Sequence, residues 1–136
     1  MAQKKQESLV TGNRSNAEEL IISLLRFHFK RLQITRNDKS ILGRQEIDIY
    51  LPEYKIGIEV DGVFHYKPVY GQETFERIQR ADKKKDDALA KLGITLFRIR
   101  LPEVSNKTYE FLKEQVTKEL APAIKKKIEE LQTIPQ

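Results

Sequence analysis

Apolar positions in this chain change period from one segment to the next, and the changes mark its elements. From Ser15 to about Leu32, Ile21, Ile22, Leu25, Phe29 and Leu32 recur at the three-to-four spacing of an amphipathic helix. Ser15, with Glu18 three residues on, reads as the capping box that opens it. A short first strand is expected near Gln33–Thr35 or Ser40–Leu42. Period two follows in Glu46-Ile47-Asp48-Ile49-Tyr50-Leu51 and again in Ile56-Gly57-Ile58-Glu59-Val60-Asp61, predicting two adjacent strands joined by the turn 52–55. Alternation puts Ile47, Ile49 and Leu51 on one face and Glu46, Asp48 and Tyr50 on the other; in the next strand Ile56, Ile58 and Val60 oppose Gly57, Glu59 and Asp61.

Residues 63–73, with Pro68 and Gly71, read as a loop. A second helix is predicted from about Glu73 to Leu92, with Phe75, Ile78, Leu89 and Leu92 at core spacing and Gly93 stopping it. Ile94–Leu101 is a further strand that Pro102 ends, and a charged helix is expected over about 107–131, kinked near Pro122. Helix, strands, helix, strand, helix makes an α/β domain with a small mixed sheet flanked by helices. One domain over 15–136 fits 136 residues, with a flexible basic tail over 1–14 that is a candidate arm for DNA contact.

The polar positions carry the chemistry. Asp48 on one strand and Glu59 and Asp61 on its neighbour form either the wet face of a hairpin or a site for a hard divalent cation. Ile94–Leu101 as another sheet member argues against a fully wet face, and clustered carboxylates away from water need a cation or a proton. Asp82 interrupts the apolar stripe of the second helix; a plain ion pair with Lys85 is the competing explanation. Glu18 lies on the apolar face of the first helix, where capping alone would explain it. His65 follows the acidic strand at a place suited to acid–base work near neutral pH, whereas His28 reads as structural.

Charge sharpens the picture slightly. The formal net charge is +5 with a pI of about 9.4, a weak pointer to nucleic acid. Arg77, Arg80, Lys83, Lys84 and Lys85 on the second helix are either a solvated face or phosphate contacts. The absence of cysteine excludes disulfides and thiolate zinc sites. No apolar run suits a membrane span or a signal peptide, so a cytoplasmic protein is the expectation.

The ordered series Glu18, Asp48, Ile58-Glu59-Val60-Asp61-Gly62, His65, Asp82, Asp86, Leu89 and Gly93 resembles the very-short-patch-repair-like branch of the PD-(D/E)XK nuclease superfamily, which includes the EDxHD-type phage homing endonucleases. The resemblance spans about residues 15–104. It implies a restriction-endonuclease-like core and a Mg²⁺-dependent endodeoxyribonuclease in which Mn²⁺ substitutes. It implies Asp48 as the central metal ligand, with the Val60 carbonyl, Glu59 and Asp61 around it. It implies His65 beside the scissile phosphate as donor to the leaving oxygen, Glu18 orienting it, and Asp61 and Asp82 in the water-activating or metal shell. The wider superfamily has a lysine where this chain has Asp61, so that role falls to Lys83 or Lys85 or stays vacant. The vacancy supports an alternative, an inactive DNA-binding or partner-docking domain on a nuclease fold. Leu112, Val116, Leu120, Ile124, Ile128 and Leu131 form a C-terminal stripe for the protein's own core, a homodimer or another partner.

Overall fold

The computed structural model describes residues 14–103 and 107–133. Helix α1 (Arg14–His28) leads into β1 (Thr35–Leu42), β2 (Gln45–Leu51) and β3 (Ile56–Asp61). A single 3-10 turn (Val63–His65) precedes α2 (Gln72–Lys91) and β4 (Thr95–Arg100). Helix α3 (Thr108–Gln115) then continues through a π-type turn (Val116–Leu120) into α4 (Ala121–Gln132). The strands form one four-stranded mixed sheet in the order β1-β2-β3-β4, antiparallel except for the β3–β4 pair. The molecule is thus a mixed α/β domain, as the periodicities require. The tail predicted over residues 1–14 lies, apart from the backbone of Arg14, outside the described residues, and so does the side chain of Ser15 with its predicted cap.

Each face of the sheet has its own core. Ile49, Leu51, Ile56, Ile58, Val60, Ile99 and Leu101 pack with Ile21 and Leu25 of α1 and with Leu112, Val116, Leu120 and Ile124 of the C-terminal helices. The C-terminal stripe therefore closes the protein's own core: Leu112, Val116 and Ile124 are fully buried, and only its end, at Leu131, is exposed. Pro122 has no N–H to donate, and the π-type turn immediately before it absorbs the misfit without breaking the helix. On the other face Ile47, Tyr50, Leu89 and Ile94 pack with Leu42 and Leu96 under α2. Among the described residues no helix is long and apolar enough to cross a membrane.

Two details differ from simple alternation. Ile47 belongs with Tyr50 under α2, not with Ile49 and Leu51. The β2–β3 ladder stops at the pair Ile49–Ile58, and Asn37 of β1, flanked by the pairs Arg36–Ile49 and Asp38–Ile47, has a left-handed φ of 50°. The pleat is irregular around Asp48, so strict period two fails there. Leu92, predicted in the core, is 48% exposed because it is the C-cap of α2. Gly93 (φ 75°) follows in the left-handed conformation; its N–H reaches the Ala90 carbonyl and that of Ile94 the Leu89 carbonyl. That pair of bonds is a Schellman motif, and glycine suits it because no Cβ opposes the positive φ.

Gly57 lets the α2-side core close. A Cβ there would meet Leu96 Cδ1 at 3.3 Å and Ile47 Cγ2 at 3.4 Å. Gly57→Val is expected to destabilise the protein by roughly 1–3 kcal/mol through overpacking. Urea unfolding reads this directly, and an unchanged midpoint would show that the cluster is loosely packed.

Candidate active site

The site forms where the β2–β3 ladder opens. Beyond Ile49–Ile58, two carboxylates replace the missing ladder bonds. The Asp48 N–H donates to Glu59 Oε2 at 3.0 Å, and the Val60 N–H donates to Asp48 Oδ2 at 2.8 Å. This crossed exchange satisfies buried backbone donors and holds both acids in place. Asp48, Glu59 and Asp61 are buried, at 6%, 3% and 4% exposure.

Helix α2 supplies the opposite wall. The 3-10 turn after β3 carries His65 back over Asp61, with His65 Nδ1 at 2.9 Å from Asp82 Oδ2 and 3.9 Å from Asp61 Oδ1. One turn along from Asp82, Lys85 crosses to β3 and β2, pairing with Glu59 and donating to the Glu46 carbonyl. Lys83 instead faces solvent and pairs with Asp87 at 3.0 Å. The helical ion pair between Asp82 and Lys85 does not form: both side chains turn towards the sheet, to different partners.

Strand β4 contributes Arg98. Its Nη1 donates to both oxygens of Asp61 (3.0 and 3.1 Å), its Nε and Nη2 bind Asp86, and Nη2 lies 3.7 Å from Asp82 Oδ1. Arg98 is not among the residues that the sequence alone singles out. The available signal was the alternation of Ile94, Leu96, Arg98 and Arg100 on one face of β4, the face that α2 covers.

These side chains line one cleft of about 250 Å³, bounded by Gln45, Glu46, Asp48, Glu59, Asp61, His65, Asp82, Lys85 and Arg98. Five of the lining groups are carboxyl groups (Glu46, Asp48, Glu59, Asp61, Asp82) and two are basic (Lys85, Arg98). Burial, with Asp48 alongside, pushes the Glu59 carboxyl up to about 7 although the Lys85 ammonium pulls it down. Burial likewise raises Asp61; Arg98 and His65 oppose that shift and Asp82 reinforces it. The cleft thus holds more carboxylate than its own cations balance.

Glu18 stays apart. It is 3% exposed on α1, which packs against the other face of the sheet from α2, and its Oε1 accepts from Arg36 Nη2 at 3.2 Å. It does not line the cleft. His28 is exposed beside the rings of Phe27 and Phe29 and does not line the cleft. Arg77, Arg80 and Lys84 are exposed on α2, and their spacing puts them on one side of it.

Three of these side chains could hold a metal ion. Asp61, His65 and Asp82 each offer one ligand atom, and the three atoms lie within 4.8 Å of one another. Asp48 and Glu59 add oxygen donors on the adjoining wall. Comparison of the chain with protein-family models, with curated proteins and with solved structures finds no match.

Proposed function

We propose that the protein is a metal-dependent endodeoxyribonuclease of the PD-(D/E)XK type. The observation that carries the reading is the convergence of Asp48, Glu59, Asp61, His65 and Asp82, from two strands, a turn and a helix, on one carboxylate-rich cleft with Lys85 inside it. Asp48, Asp61 and Asp82, with Glu59, would hold Mg²⁺ or Mn²⁺. Such an ion supplies charge neutralisation at a phosphate and acidifies a nearby water. Held against Asp82 through Nδ1, the His65 ring in its doubly protonated form would give its Nε2 proton to the leaving oxygen. The Lys85 ammonium stands beside Glu59, where the superfamily's lysine is missing from the strand, and offers positive charge to the phosphorane. Arg77, Arg80 and Lys84 would contact backbone phosphates without reading sequence.

One observation favours the alternative of an inactive DNA-binding domain: Glu59 and Asp61 are already paired with the protein's own cations, Lys85 and Arg98. The two readings separate in one assay. Purified protein is expected to nick or cut supercoiled plasmid in Mg²⁺ or Mn²⁺ and to lose that activity in EDTA. Metal binding by calorimetry with no cleavage of supercoiled, linear, single-stranded or branched DNA would establish the alternative.

A further inference from the structure

We infer that Arg98 is a built-in cation standing where a second metal ion would bind, so that the cleft takes one divalent ion per chain. In two-metal sites the ions stand about 3.5–4 Å apart and are clamped by a common set of ligands. Asp61, His65 and Asp82 define such a position here, with ligand atoms within 4.8 Å of one another. The Arg98 guanidinium already bridges its two acids. Nη1 donates to both oxygens of Asp61, at 3.0 and 3.1 Å, and Nη2 lies 3.7 Å from Asp82 Oδ1.

Arg98 is also anchored from outside the Asp61–Asp82 pair. Asp86 takes Nε at 3.1 Å and Nη2 at 2.6 Å, and the Arg98 side chain is only 19% exposed. A guanidinium keeps its charge and presents its donors in a fixed fork, so it serves three carboxylates at once. A second divalent ion would have to displace it from all three. The other end of the cleft is different. Lys85 is taken by Glu59 and the Glu46 carbonyl, and among the described residues no cation pairs with Asp48. The Asp48 side is therefore the seat of the one ion. That ion can share Asp61 and Asp82 with Arg98, because a carboxylate has about four lone-pair sites. Methionine at position 98 would leave Asp61, its side chain 6% exposed, beside Asp82 with no guanidinium between them. Two neighbouring acids away from water then need a cation, and the position Arg98 occupied becomes a metal site.

The count of one rests on the metal-dependent reading of the cleft, but no DNA cleavage is needed to measure it. Calorimetric titration of the DNA-free protein with Mn²⁺, checked by EPR of the unbound ion, gives the number of ions per chain. The parent is expected to bind one and Arg98→Met two. The chain has only two histidines, His28 and His65. Histidine nitrogen coupling in pulsed EPR should therefore appear only with the second ion and persist when His28→Gln is added. Mn²⁺ should also raise the melting temperature of Arg98→Met more than that of the parent, since it replaces the lost partner of Asp61 and Asp82. If Arg98→Met fails to fold, the parent's count and its nitrogen coupling still decide. Two ions in the parent, none in the parent, histidine coupling in the parent, or equal counts in parent and variant each overturn the inference. Counts of one and two in a protein that cuts no DNA leave it standing and remove the nuclease reading. Two ions in a parent that cuts DNA do the reverse.

Discussion

Asp48→Ala is expected to lower Mg²⁺-supported DNA cleavage by about 10³-fold or more, the equivalent of several kcal/mol of transition-state stabilisation. Asp48 stands at the point where β2 and β3 part, and it is the acid that faces both the Val60 backbone and the cleft. Alanine also strands the Val60 N–H, so some stability is lost with the activity. Asp48→Asn separates the two effects, because the amide oxygen still accepts that bond. Asparagine removes the charge that, after burial, does most to raise the Glu59 carboxyl. The asparagine variant should therefore match or exceed the parent's metal-free melting temperature at pH 8 while remaining inactive. Single-turnover cleavage and thermal unfolding in EDTA make the comparison. An asparagine variant that cuts within tenfold of the parent would exclude Asp48 from the reacting centre.

Local pattern carried most of this architecture, and non-local geometry carried the rest. The helix ending at Gly93 was legible because a Schellman glycine acts within six residues. The acids of β2 and β3 were legible as a group because their strands are neighbours in sequence. Asp82 was legible as an anomaly in an apolar stripe, but its partner was not: His65 is 17 residues away, and a turn brings it there. Arg98 was hidden for a stronger reason. Its role depends on the parallel register that sets it opposite Glu59 and one pleat from Asp61, and no spacing along the chain encodes that register. The choice between Lys83 and Lys85 also needed the fold, since two residues along a helix separate side chains by about 200° and only one of them can face the sheet. Glu18 shows the converse. A buried acid on an apolar helix face looked like part of the same centre, yet it faces Arg36 across the opposite side of the sheet. The face assigned to Ile47 failed because alternation presumes a regular pleat, and the site exists where the pleat is irregular.

Lys85→Met is expected to reduce cleavage by roughly 10²–10³-fold and to change how metal-free stability depends on pH. The Glu59 carboxyl is raised from an ordinary 4.5 to about 7, by burial first and Asp48 second. The folded protein therefore keeps a proton that the unfolded chain gives up. The stabilisation from that proton is fully present below about pH 4.5 and is lost as pH rises through about 7, on the order of 3 kcal/mol across the window. Lys85 limits the loss, because its ammonium favours the ionised Glu59. Methionine fills similar space but supplies no charge, so the Glu59 carboxyl rises further and an ionised Glu59 at pH 8 stands beside Asp48 with no cation. The variant should then be clearly less stable than the parent at pH 8, and the gap should narrow towards pH 5, where Glu59 is protonated in both. Urea unfolding in EDTA at several pH values measures this. Adding Glu59→Gln to Lys85→Met should remove most of the excess pH dependence. A gap between Lys85→Met and the parent that is the same at pH 5 and pH 8 would mean that Lys85 is not the counter-ion of Glu59, and the lysine's place in the centre would have to be given up.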